Sequence, residues 1–511
     1  MVGEVMFDPF YNAAGMPLLS LLMIIPAAGA LLLLLPMSAR AARVLALGTT
    51  LLTALFSVPL WHLFNKAASQ MQFVERVTWV AVWNLEYSVG IDGISLPLVL
   101  LTVLICPVCV LASWGSITSR VRGYYACLLL MESIMLGIFV SLNLILFFFF
   151  WEAMLIPMYL LIGMWGSERG RAAAMKFLLF TLGGSIFMLV GIIALYLLGG
   201  RTFDIVALSN AGLPHAAQLW LFAAFFLGFA VKVPVVPFHG WQPDAYAEAP
   251  TCATIIMAAV LAKMGAYGFI RILFPFFPDA AWTFLEPMLI LSVITVLYGA
   301  YCALAQQDLK RLIAYSSLSH MGFILLGMAT LTKVGIDGSI IQMVSHGVIT
   351  GGLFLWIAAM EERLKTRMLA DFGGLSTAAP VSAVVFTVLA LAATGFPGLS
   401  AFIGEFLILS GVFQGHYVIG AFAIFGVVLG VAYMSWACYR LILFKPATPY
   451  PPSFSDLTLR EVVCLAPLLI VIVVVGVQPG ILLDFMRSSV DQLVNMMQTA
   501  DAVISASGVA R

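Results

Sequence analysis

Long apolar runs alternate with short polar segments along nearly the whole chain. A helix needs about 20 apolar residues to cross a hydrocarbon core of about 30 Å, and the runs have this length. The pattern therefore predicts an all-α polytopic membrane protein with about 14 transmembrane helices. We place these spans at about 16–36, 41–62, 95–115, 124–142, 144–165, 172–198, 217–238, 251–274, 283–304, 311–330, 338–359, 380–413, 417–444 and 461–484.

The composition of the 511 residues agrees with a lipid environment. Charged residues make up 9% of the chain and hydrophobic residues 63%, whereas a soluble domain is about a quarter charged. The mean hydropathy is +1.08. Lys plus Arg and Asp plus Glu number 24 each, so the net charge gives no sign of nucleic-acid binding. These values leave no stretch for a soluble catalytic domain.

The polar connections predict the topology. The second connection contains FVERVTWVAVWNLEYSVGIDG, whose strand-forming residues and polar breaks predict a small extramembrane hairpin. The odd-numbered connections hold 15 Lys and Arg residues and the even-numbered ones hold 5. Because basic connections stay in the cytoplasm, the odd connections should face it and both termini should be periplasmic. The first fifteen residues contain two acids and no base, so the first apolar run is expected to be a retained span.

Two apolar runs are interrupted by proline or glycine residues. Pro234 and Pro237 break the seventh span, and Gly395, Pro397 and Gly398 break the twelfth. A broken helix is tolerated at membrane depth only where protein or a watery cavity surrounds it, and paired interruptions indicate inverted repeats with the ion path at the breaks. We therefore divide the chain into a three-span region with the hairpin (1–123), a first five-helix repeat of spans 4–8 (124–275), a second, inverted five-helix repeat of spans 9–13 (276–445), and a last span with a short C-terminal tail (446–511).

Seven ionisable side chains lie deep in apolar sequence. A charge at the bilayer centre costs at least about 2.5–3.5 kcal/mol on insertion scales, so such a group usually faces a partner or water inside the bundle. Each is therefore a candidate for an ion path, and the competing interpretation is a structural ion pair that locks two helices together. The candidates are Glu132, Glu152, Lys232, Lys263, His320, His346 and Glu405.

The chemistry of these groups suits proton transfer. Glu152 follows four phenylalanines and a tryptophan, so it needs a cation from another helix, and Lys232 or Lys263 could supply it. Such a pair is a proton switch, because breaking it changes which side chain is charged. His320 and His346 are accompanied by serine or threonine, and an imidazole can accept and release a proton near neutral pH. A buried structural histidine is the alternative in both cases, and the spacing offers no metal-ligand set.

The sequence gives no sign of a cofactor. The seven cysteines lie mostly inside apolar runs, which favours apolar packing over disulfides or redox motifs; they occupy positions 106, 109, 127, 252, 302, 438 and 464. The chain has no P-loop, no GxGxxG after a strand, no iron-sulfur cysteine spacing and no paired haem histidines. We therefore expect no cofactor or metal in this chain, and any redox chemistry must take place elsewhere.

Five segments together resemble the antiporter-like membrane subunits of respiratory complex I, which are relatives of the Mrp-type cation/proton antiporters. The segments are FFFFWEAMLIPMYLLIG, VKVPVVPFHGWQPDAYAEAP, LAKMGAYG, DLKRLIAYSSLSHMGFILLG and GFPGLSAFIGEF, and the resemblance runs from about 90 to 445. Within this family the chain is similar to the M type, the counterpart of mitochondrial subunit 4. Glu405 stands where the L and N types typically carry lysine, and a long lateral C-terminal helix of the L type is not expected.

The resemblance implies proton translocation coupled to electron transfer from NADH to quinone in other subunits, which hold the flavin, iron-sulfur clusters and quinone. It implies that Glu152 and Lys232 form a modulating pair. Lys263, His320 and His346 would form the central relay, with Glu405 as the terminal donor. Glu132 is a further candidate, and His239, Asp244 and Lys310 lie in family-like motifs near the cytoplasmic edge, where uptake and structural roles both stay open.

The resemblance also implies partners and a location. The partners would be other membrane subunits of complex I, with a further antiporter-like subunit on either side, and the location a bacterial inner membrane. Two alternatives share the motifs, namely an Mrp-type sodium/proton antiporter subunit and the pump arm of a membrane-bound hydrogenase or formate-linked complex. A third is a scaffold whose buried charges only lock helices together.

Overall fold

The computed structural model describes residues 13–446, 449–452 and 454–507. About 75% of the chain is helical, which confirms the predicted all-α membrane fold. In the described part, 12 helical segments are long and apolar enough to cross a membrane. The apolar helix Leu18–Leu32 and the consecutive pair Pro380–Ala393 and Ser400–Val412 coincide with two further predicted spans. The count of 14 and the inverted repeats stay predictions.

The N-terminal region consists of two apolar helices, a hairpin and a third apolar helix. The elements are α1 (Leu18–Leu32), α2 (Ala39–Leu63), β1 (Gln72–Val80), β2 (Leu85–Ile91) and α3 (Ser95–Ala112). The strands pair antiparallel, with Glu75 opposite Val89. The Glu75 carboxylate accepts hydrogen bonds from the backbone N–H groups of Leu19 (2.7 Å) and Ser20 (3.2 Å). These hydrogen bonds join the hairpin to the first turn of α1.

The next part of the chain contains the first interrupted span. Its elements are α4 (Val121–Val140), α5 (Leu144–Ala153), α6 (Leu155–Trp165), α7 (Gly170–Leu198), α8 (Ile205–Leu208), α9 (His215–Lys232), α10 (Gln242–Glu248), α11 (Thr251–Ile256), α12 (Ala262–Gly268) and α13 (Phe274–Phe276). The π-helical turns Met257–Leu261 and Phe269–Leu273 join α11 to α13 into one apolar segment. The seventh predicted span ends as a helix at Lys232, and nonhelical chain leads to α10.

The remaining helices contain the second interrupted span and the C-terminal tail. They are α14 (Pro278–Thr283), α15 (Leu285–Leu304), α16 (Leu309–Ala329), α17 (Lys333–Leu364), α18 (Leu375–Ala378), α19 (Pro380–Ala393), α20 (Ser400–Val412), α21 (Tyr417–Ile442), α22 (Leu459–Val477) and α23 (Gly480–Ser507). The twelfth predicted span is therefore two half-length helices, α19 and α20, separated by residues 394–399.

The C-terminal tail forms a helix that the sequence analysis did not predict. It is a 28-residue amphipathic helix, α23, which packs against the end of the bundle that carries the hairpin. Phe485 packs against Trp61 with ring centroids 4.5 Å apart, and Lys333 pairs with Asp491. The periodic apolar residues of this segment are too few per turn to resemble a span, so a search for continuous apolar runs misses the helix.

The two ends of the bundle differ. We call the end with the hairpin and α23 the hairpin face, and the opposite end, where the Arg-rich odd connections lie, the basic face. On the basic face Arg363 pairs with Glu461 at 2.7 Å and joins α17 to α22. The assignment of the basic face to the cytoplasm stays a prediction.

Three segments form the centre of the bundle. The most apolar windows of Thr251–Phe276 and Lys333–Leu364 are 100% buried, and that of Leu309–Ala329 is 94% buried. Outer helices such as Tyr417–Ile442 surround these segments. Only 33% of the most apolar stretch of Tyr417–Ile442 is buried, so this helix turns much of its apolar surface toward the lipid. Ionisable side chains near the middle of the three central segments, namely Lys263, His320 and His346, are therefore buried inside the protein.

Candidate functional site

Lys263 and His346 meet at the centre of the bundle. Lys263 is 0% exposed on α12, and His346 is 2% exposed on α17. The Nζ atom of Lys263 lies within hydrogen-bond distance of the Nδ1 atom of His346 and of the Ala258 carbonyl. Ala258 belongs to the π-helical turn before α12, where the wider winding brings a carbonyl five residues back within reach. A protonated lysine has only donors, so Nδ1 of His346 is then the acceptor.

The line continues from His346 to Glu405. The imidazole rings of His346 and His320 have centroids 5.6 Å apart. The Nδ1 atom of His320 lies 3.1 Å from Oε1 of Glu405, although the contact lacks the geometry of a hydrogen bond. Gln342 donates through Nε2 to the same carboxylate oxygen at 3.1 Å. Four ionisable side chains from four helices thus form one buried series from lysine to carboxylate.

A small cavity of about 10 Å³ adjoins the two histidines. Its polar lining consists of Ser316, His320, Gln342, His346 and Thr350. One water molecule needs about this volume and two to four polar partners. The ring nitrogen Nε2 of His346 has no hydrogen-bond partner within the described protein. The cavity can therefore hold a water that links the imidazoles.

The first interrupted span places Lys232 at a helix end. Pro234 has no N–H group, so α9 stops, and the carbonyl of Ala230 accepts instead from the N–H of Val235 at 2.8 Å. The Lys232 ammonium group donates to the carbonyl of Trp151 at 3.1 Å and lies 3.6 Å from the centroid of the Trp151 ring. A cation is favourable both at a helix C-terminus and over an indole ring.

The expected direct pair between Glu152 and Lys232 is not formed. Among the residues that the structure describes, no ion pair within 4.0 Å includes Glu152, and its Oε1 atom is buried without a hydrogen-bond partner. The reason lies in the helix geometry: Lys232 binds the backbone and ring of Trp151, and the next side chain along α5 points about 100° away around the axis. The two charges are neighbours without contact.

Backbone packing connects α9 to α12. A Cβ atom at Gly265 would lie 2.9 Å from the Val233 nitrogen and 3.0 Å from the Phe229 carbonyl oxygen. Only glycine permits this approach, which explains its place in the LAKMGAYG segment. No hydrogen bond joins Lys232 to Lys263 in the part of the chain that the structure describes, so the helices touch beside the lysines while the side chains stay apart.

Glycines also shape the second interruption. Gly395 (φ +68°) and Gly398 (φ +92°) adopt left-handed backbone conformations between α19 and α20, with Pro397 between them. A Cβ atom at Gly395 would lie 2.6 Å from Oε2 of Glu405. The break therefore makes room for the carboxylate as well as ending the helix.

The remaining candidates lie away from the Lys263–Glu405 series. Glu132 is fully buried on α4, and neither carboxylate oxygen has a partner in the described protein. Lys310 donates to the Ala249 carbonyl at 2.9 Å on the basic face.

Asp244 binds Lys176 at 2.7 Å and Arg311 at 3.1 Å. Burial opposes ionisation of Asp244, but these two cations lower its pKa overall. Asp244 thus has the contacts of a structural ion cluster.

His239 lies in the first break beside an aromatic ring. Its ring centroid is 4.7 Å from that of Tyr298 in an edge-to-face arrangement. The Nδ1 atom is buried without a hydrogen-bond partner in the described protein. No described group of three or more His, Cys, Asp or Glu side chains has an arrangement that could hold a metal ion.

Comparisons with known proteins agree with this architecture. The family model "NADH:quinone oxidoreductase/Mrp antiporter, TM" matches residues 141–430, and the model "NADH-ubiquinone oxidoreductase chain 4, amino terminus" matches residues 21–140. The chain belongs to the family of NADH:quinone oxidoreductase chain 4. A member from Rhodobacter capsulatus, named NADH-quinone oxidoreductase subunit M, is 41% identical over 496 residues, which cover 93% of this chain and 96% of the relative.

Solved structures in and around the chain 4 family share the fold. A chain of the respiratory complex I from Thermus thermophilus superposes with a TM-score of 0.86 and 30% identity, covering 94% of this chain and 99% of that one. A chain of the Mrp complex from Dietzia has a TM-score of 0.81 at 22% identity, covering 96% and 100%. The Mrp likeness concerns the fold alone, whereas the sequence identity places the chain with the oxidoreductase subunits.

Two uncharged residues that hold the charged side chains of the site were not predicted from the sequence. Gln342 binds Glu405, and the Trp151 carbonyl and ring bind Lys232. A search for charges in apolar sequence does not find them. A signal existed for Gln342, because an amide in the buried helix α17, four residues before His346, lies about one turn away on the same face.

Proposed function

We propose that this chain is the M-type proton-translocating membrane subunit of a respiratory NADH:quinone oxidoreductase, and that protons pass along Lys263, His346, His320 and Glu405. One observation carries the proposal, namely the buried series of these four side chains on the central helices. Imidazoles accept and release protons near neutral pH, and the lysine and the carboxylate end the series with opposite charges. The names of the relatives support the host complex.

Glu152 and Lys232 act in this proposal as a modulating pair. Lys232 is held by Trp151 and is not neutralised by contact with Glu152. Its charge therefore acts on Lys263 across the packed α9 and α12 backbones. A small movement of Glu152 toward Lys232 would neutralise that charge and change the proton affinity of the central lysine.

The energy required is within reach of such a switch. Moving one charge against 100 mV takes about 2.3 kcal/mol. A difference of one pKa unit between two states of a group corresponds to about 1.36 kcal/mol. Changes of two or three units at a few buried groups therefore suffice, without electron transfer in this chain.

The same proposal assigns location and partners. The chain would lie in a bacterial inner membrane with its basic face toward the cytoplasm and both termini on the periplasmic side. Other membrane subunits would adjoin it, with an antiporter-like subunit on either side, and flavin, iron-sulfur clusters and quinone would belong to partner subunits. The two interrupted spans would mark corresponding positions of two inverted repeats.

Purification of the complex tests the host assignment. We expect the tagged chain, extracted from native membranes in mild detergent, to bring down flavin and iron-sulfur subunits, identified by mass spectrometry. The eluate should oxidise NADH with quinone. Recovery with small membrane partners only, and no NADH oxidation, would assign the chain to an Mrp-type antiporter instead.

Substitution of Lys263 tests the proton route. We expect Lys263→Ala to assemble and to lose nearly all NADH-driven proton uptake in proteoliposomes, because the series loses its first group. Lys333→Ala is the matched control, since it removes a lysine from an exposed ion pair with Asp491, which contributes about 0–1 kcal/mol. Equal uptake by the two assembled variants would reject the route.

A further inference from the structure

A cleft of about 520 Å³ opens on the basic face where α2 and α4 begin. Residues between 33 and 39 line one side of it, and residues 120–123 line the other. This volume lies within the range of small-ligand pockets, about 300–1,000 Å³. The lining residues belong neither to the Lys263–Glu405 series nor to the two interrupted spans. The cleft is therefore a separate place in the fold, which the proton route does not use.

The two chain segments that form the cleft carry arginines and no acid. Arg120 and Arg122 line it, and Arg40 and Arg43 lie in the first turns of α2. The sequence has no Asp or Glu in residues 9–74 and none in residues 93–131. Among the residues that the structure describes, none of the four arginines forms an ion pair within 4.0 Å. Because the positive charge is not neutralised locally, the cleft attracts anions.

The cleft also presents hydrogen-bond donors in fixed positions. The Arg122 guanidinium donates through Nη1 to the Leu35 carbonyl at 2.9 Å, and no other hydrogen bond of the described residues uses this group. The backbone N–H groups of Val121, Arg122 and Gly123 begin α4 and have no acceptor in the described part of the chain. A guanidinium fork matches the oxygens of a phosphate group, which accepts several hydrogen bonds at once.

The surroundings of the cleft are those of a membrane surface. The indole N–H of Trp165 donates to the Ser119 carbonyl at 3.0 Å, directly before α4. Tryptophan is enriched at the boundary between hydrocarbon and headgroups. Four leucines at the end of α1 and in the following connection, at positions 31, 32, 34 and 35, are exposed by 48–68%. A phosphate that binds in the cleft can therefore carry an acyl chain along these leucines.

We propose that this cleft binds the phosphate group of an anionic phospholipid. Arg120 and Arg122 would contact the headgroup, and the exposed leucines would contact an acyl chain. Basic pockets between transmembrane helices commonly bind anionic lipid headgroups in this way. The headgroup would bridge the α1–α2 connection and the start of α4 and would offset the repulsion among the four arginines. The binding needs no proton transfer, so the inference is independent of the proposed function.

Photolabelling of the assembled complex in detergent tests the inference. The probe is phosphatidylglycerol with a diazirine in one acyl chain, and mass spectrometry identifies the labelled peptides. We expect label within residues 31–44, displaced by excess unlabelled phosphatidylglycerol but not by phosphatidylcholine or inorganic phosphate at the same concentration. Displacement by phosphatidylcholine would mean a groove that does not recognise charge, and displacement by inorganic phosphate would mean a site for free phosphate. Either result, or no label in this segment, would overturn the proposal.

Removal of two charges is the second part of the test. The double variant Arg120→Gln/Arg122→Gln should lose labelling of this segment about tenfold or more, whereas Arg120→Lys/Arg122→Lys should keep most of it, because the charges stay. The matched control is Arg169→Gln/Arg171→Gln, which removes two exposed arginines before and at the start of α7, outside the cleft, and should label as the wild type does.

NADH oxidation by each preparation would report on assembly, and the competition experiment needs only the wild type. Equal labelling of the wild type and Arg120→Gln/Arg122→Gln would overturn the lipid site and leave the proposed function intact. Failure of the proton route would appear instead as unchanged proton uptake in Lys263→Ala, whatever the result of photolabelling.

Discussion

Each of the two interrupted spans holds a buried charged side chain, but the contacts of the two side chains differ. At the first, Lys232 ends α9, and its ammonium group is held by a carbonyl and an indole ring. At the second, Glu405 follows the break on α20, and its carboxylate is held by Gln342 and lies beside His320. The first charge has no ionisable contact partner within 4.0 Å in the described protein, whereas an oxygen of the second lies 3.1 Å from Nδ1 of His320.

The difference separates two tasks. A charge held only by neutral groups keeps its field, so Lys232 can influence its surroundings without passing a proton on. A charge in contact with an imidazole can exchange a proton with it. In our proposal the first break therefore has the modulating role and the second the conducting role, and the following substitutions are ordered from the largest expected effect to the smallest.

Glu405→Gln should have the largest effect. The amide keeps the shape and a hydrogen bond to Gln342 but cannot take up a proton, so conduction ends at His320. We expect assembled complex with proton uptake through this chain reduced by on the order of a hundredfold, about 2.7 kcal/mol. Proteoliposome assays with a pH-sensitive dye would measure it. Proton uptake equal to that of the wild type would mean that protons do not pass through the second interrupted span.

Lys232→Ala should reduce proton uptake about tenfold or more, about 1.4 kcal/mol, because the field at Lys263 disappears. Glu152→Gln should act in the same direction. If the two residues work as one switch, the double variant should be no worse than Lys232→Ala, and a double-mutant cycle on uptake rates would measure this. Strictly additive losses would mean that Glu152 and Lys232 act separately.

Gly395→Ala should slow proton uptake about fivefold. The new Cβ atom would displace the Glu405 carboxylate, and a non-glycine residue at this positive φ costs roughly 1–2 kcal/mol. Gly398→Ala is the matched control, because its φ is also positive but no heavy atom lies within 4 Å of the added Cβ. The strain is common to both variants. If both slow uptake equally, the contact with Glu405 is irrelevant.

Glu75→Gln should have the smallest effect on proton uptake, because Glu75 lies on β1 of the hairpin and away from both interrupted spans. Burial raises the pKa of the Glu75 carboxyl above its usual 4.5, and hydrogen bonds from Ser20 and Leu19 offset this only in part. The folded state thus binds the proton more tightly. The resulting stability is present below pH 4.5 and is lost as the pH rises through the raised pKa.

Hydrogen exchange of the β1 amides at pH 5 and pH 8 would measure this, after correction for intrinsic exchange rates. We expect lower protection at pH 8 in the wild type and no pH dependence in Glu75→Gln, with proton uptake unchanged. Equal pH dependence in both proteins would show that Glu75 does not hold the hairpin on α1.

Much of this arrangement could be predicted from residues that do not belong in lipid. Lys263, His320, His346 and Glu405 stand out in apolar runs, and the structure brings them together in the middle of the bundle. The positions of the two helix interruptions could also be predicted from the sequence, because proline and glycine act on the backbone locally. These signals depend on single residues and their immediate neighbours.

Other features depend on tertiary packing that no local pattern encodes. Trp151 holds Lys232 through a backbone carbonyl, which every residue possesses, so the sequence could not distinguish it from the expected pairing with Glu152. Gln342 is neutral and was passed over for that reason. The helix α23 has an amphipathic pattern that fits no span, and only its packing on the hairpin face reveals its place.

Infrared difference spectroscopy of the assembled complex tests the central claim most directly. Spectra recorded before and after addition of NADH should contain a carboxyl C=O band that is absent from Glu405→Gln, because the carboxylate changes protonation during turnover. Identical carboxyl bands in the wild type and Glu405→Gln, with proton uptake intact in both, would contradict a route through Lys263, His346, His320 and Glu405.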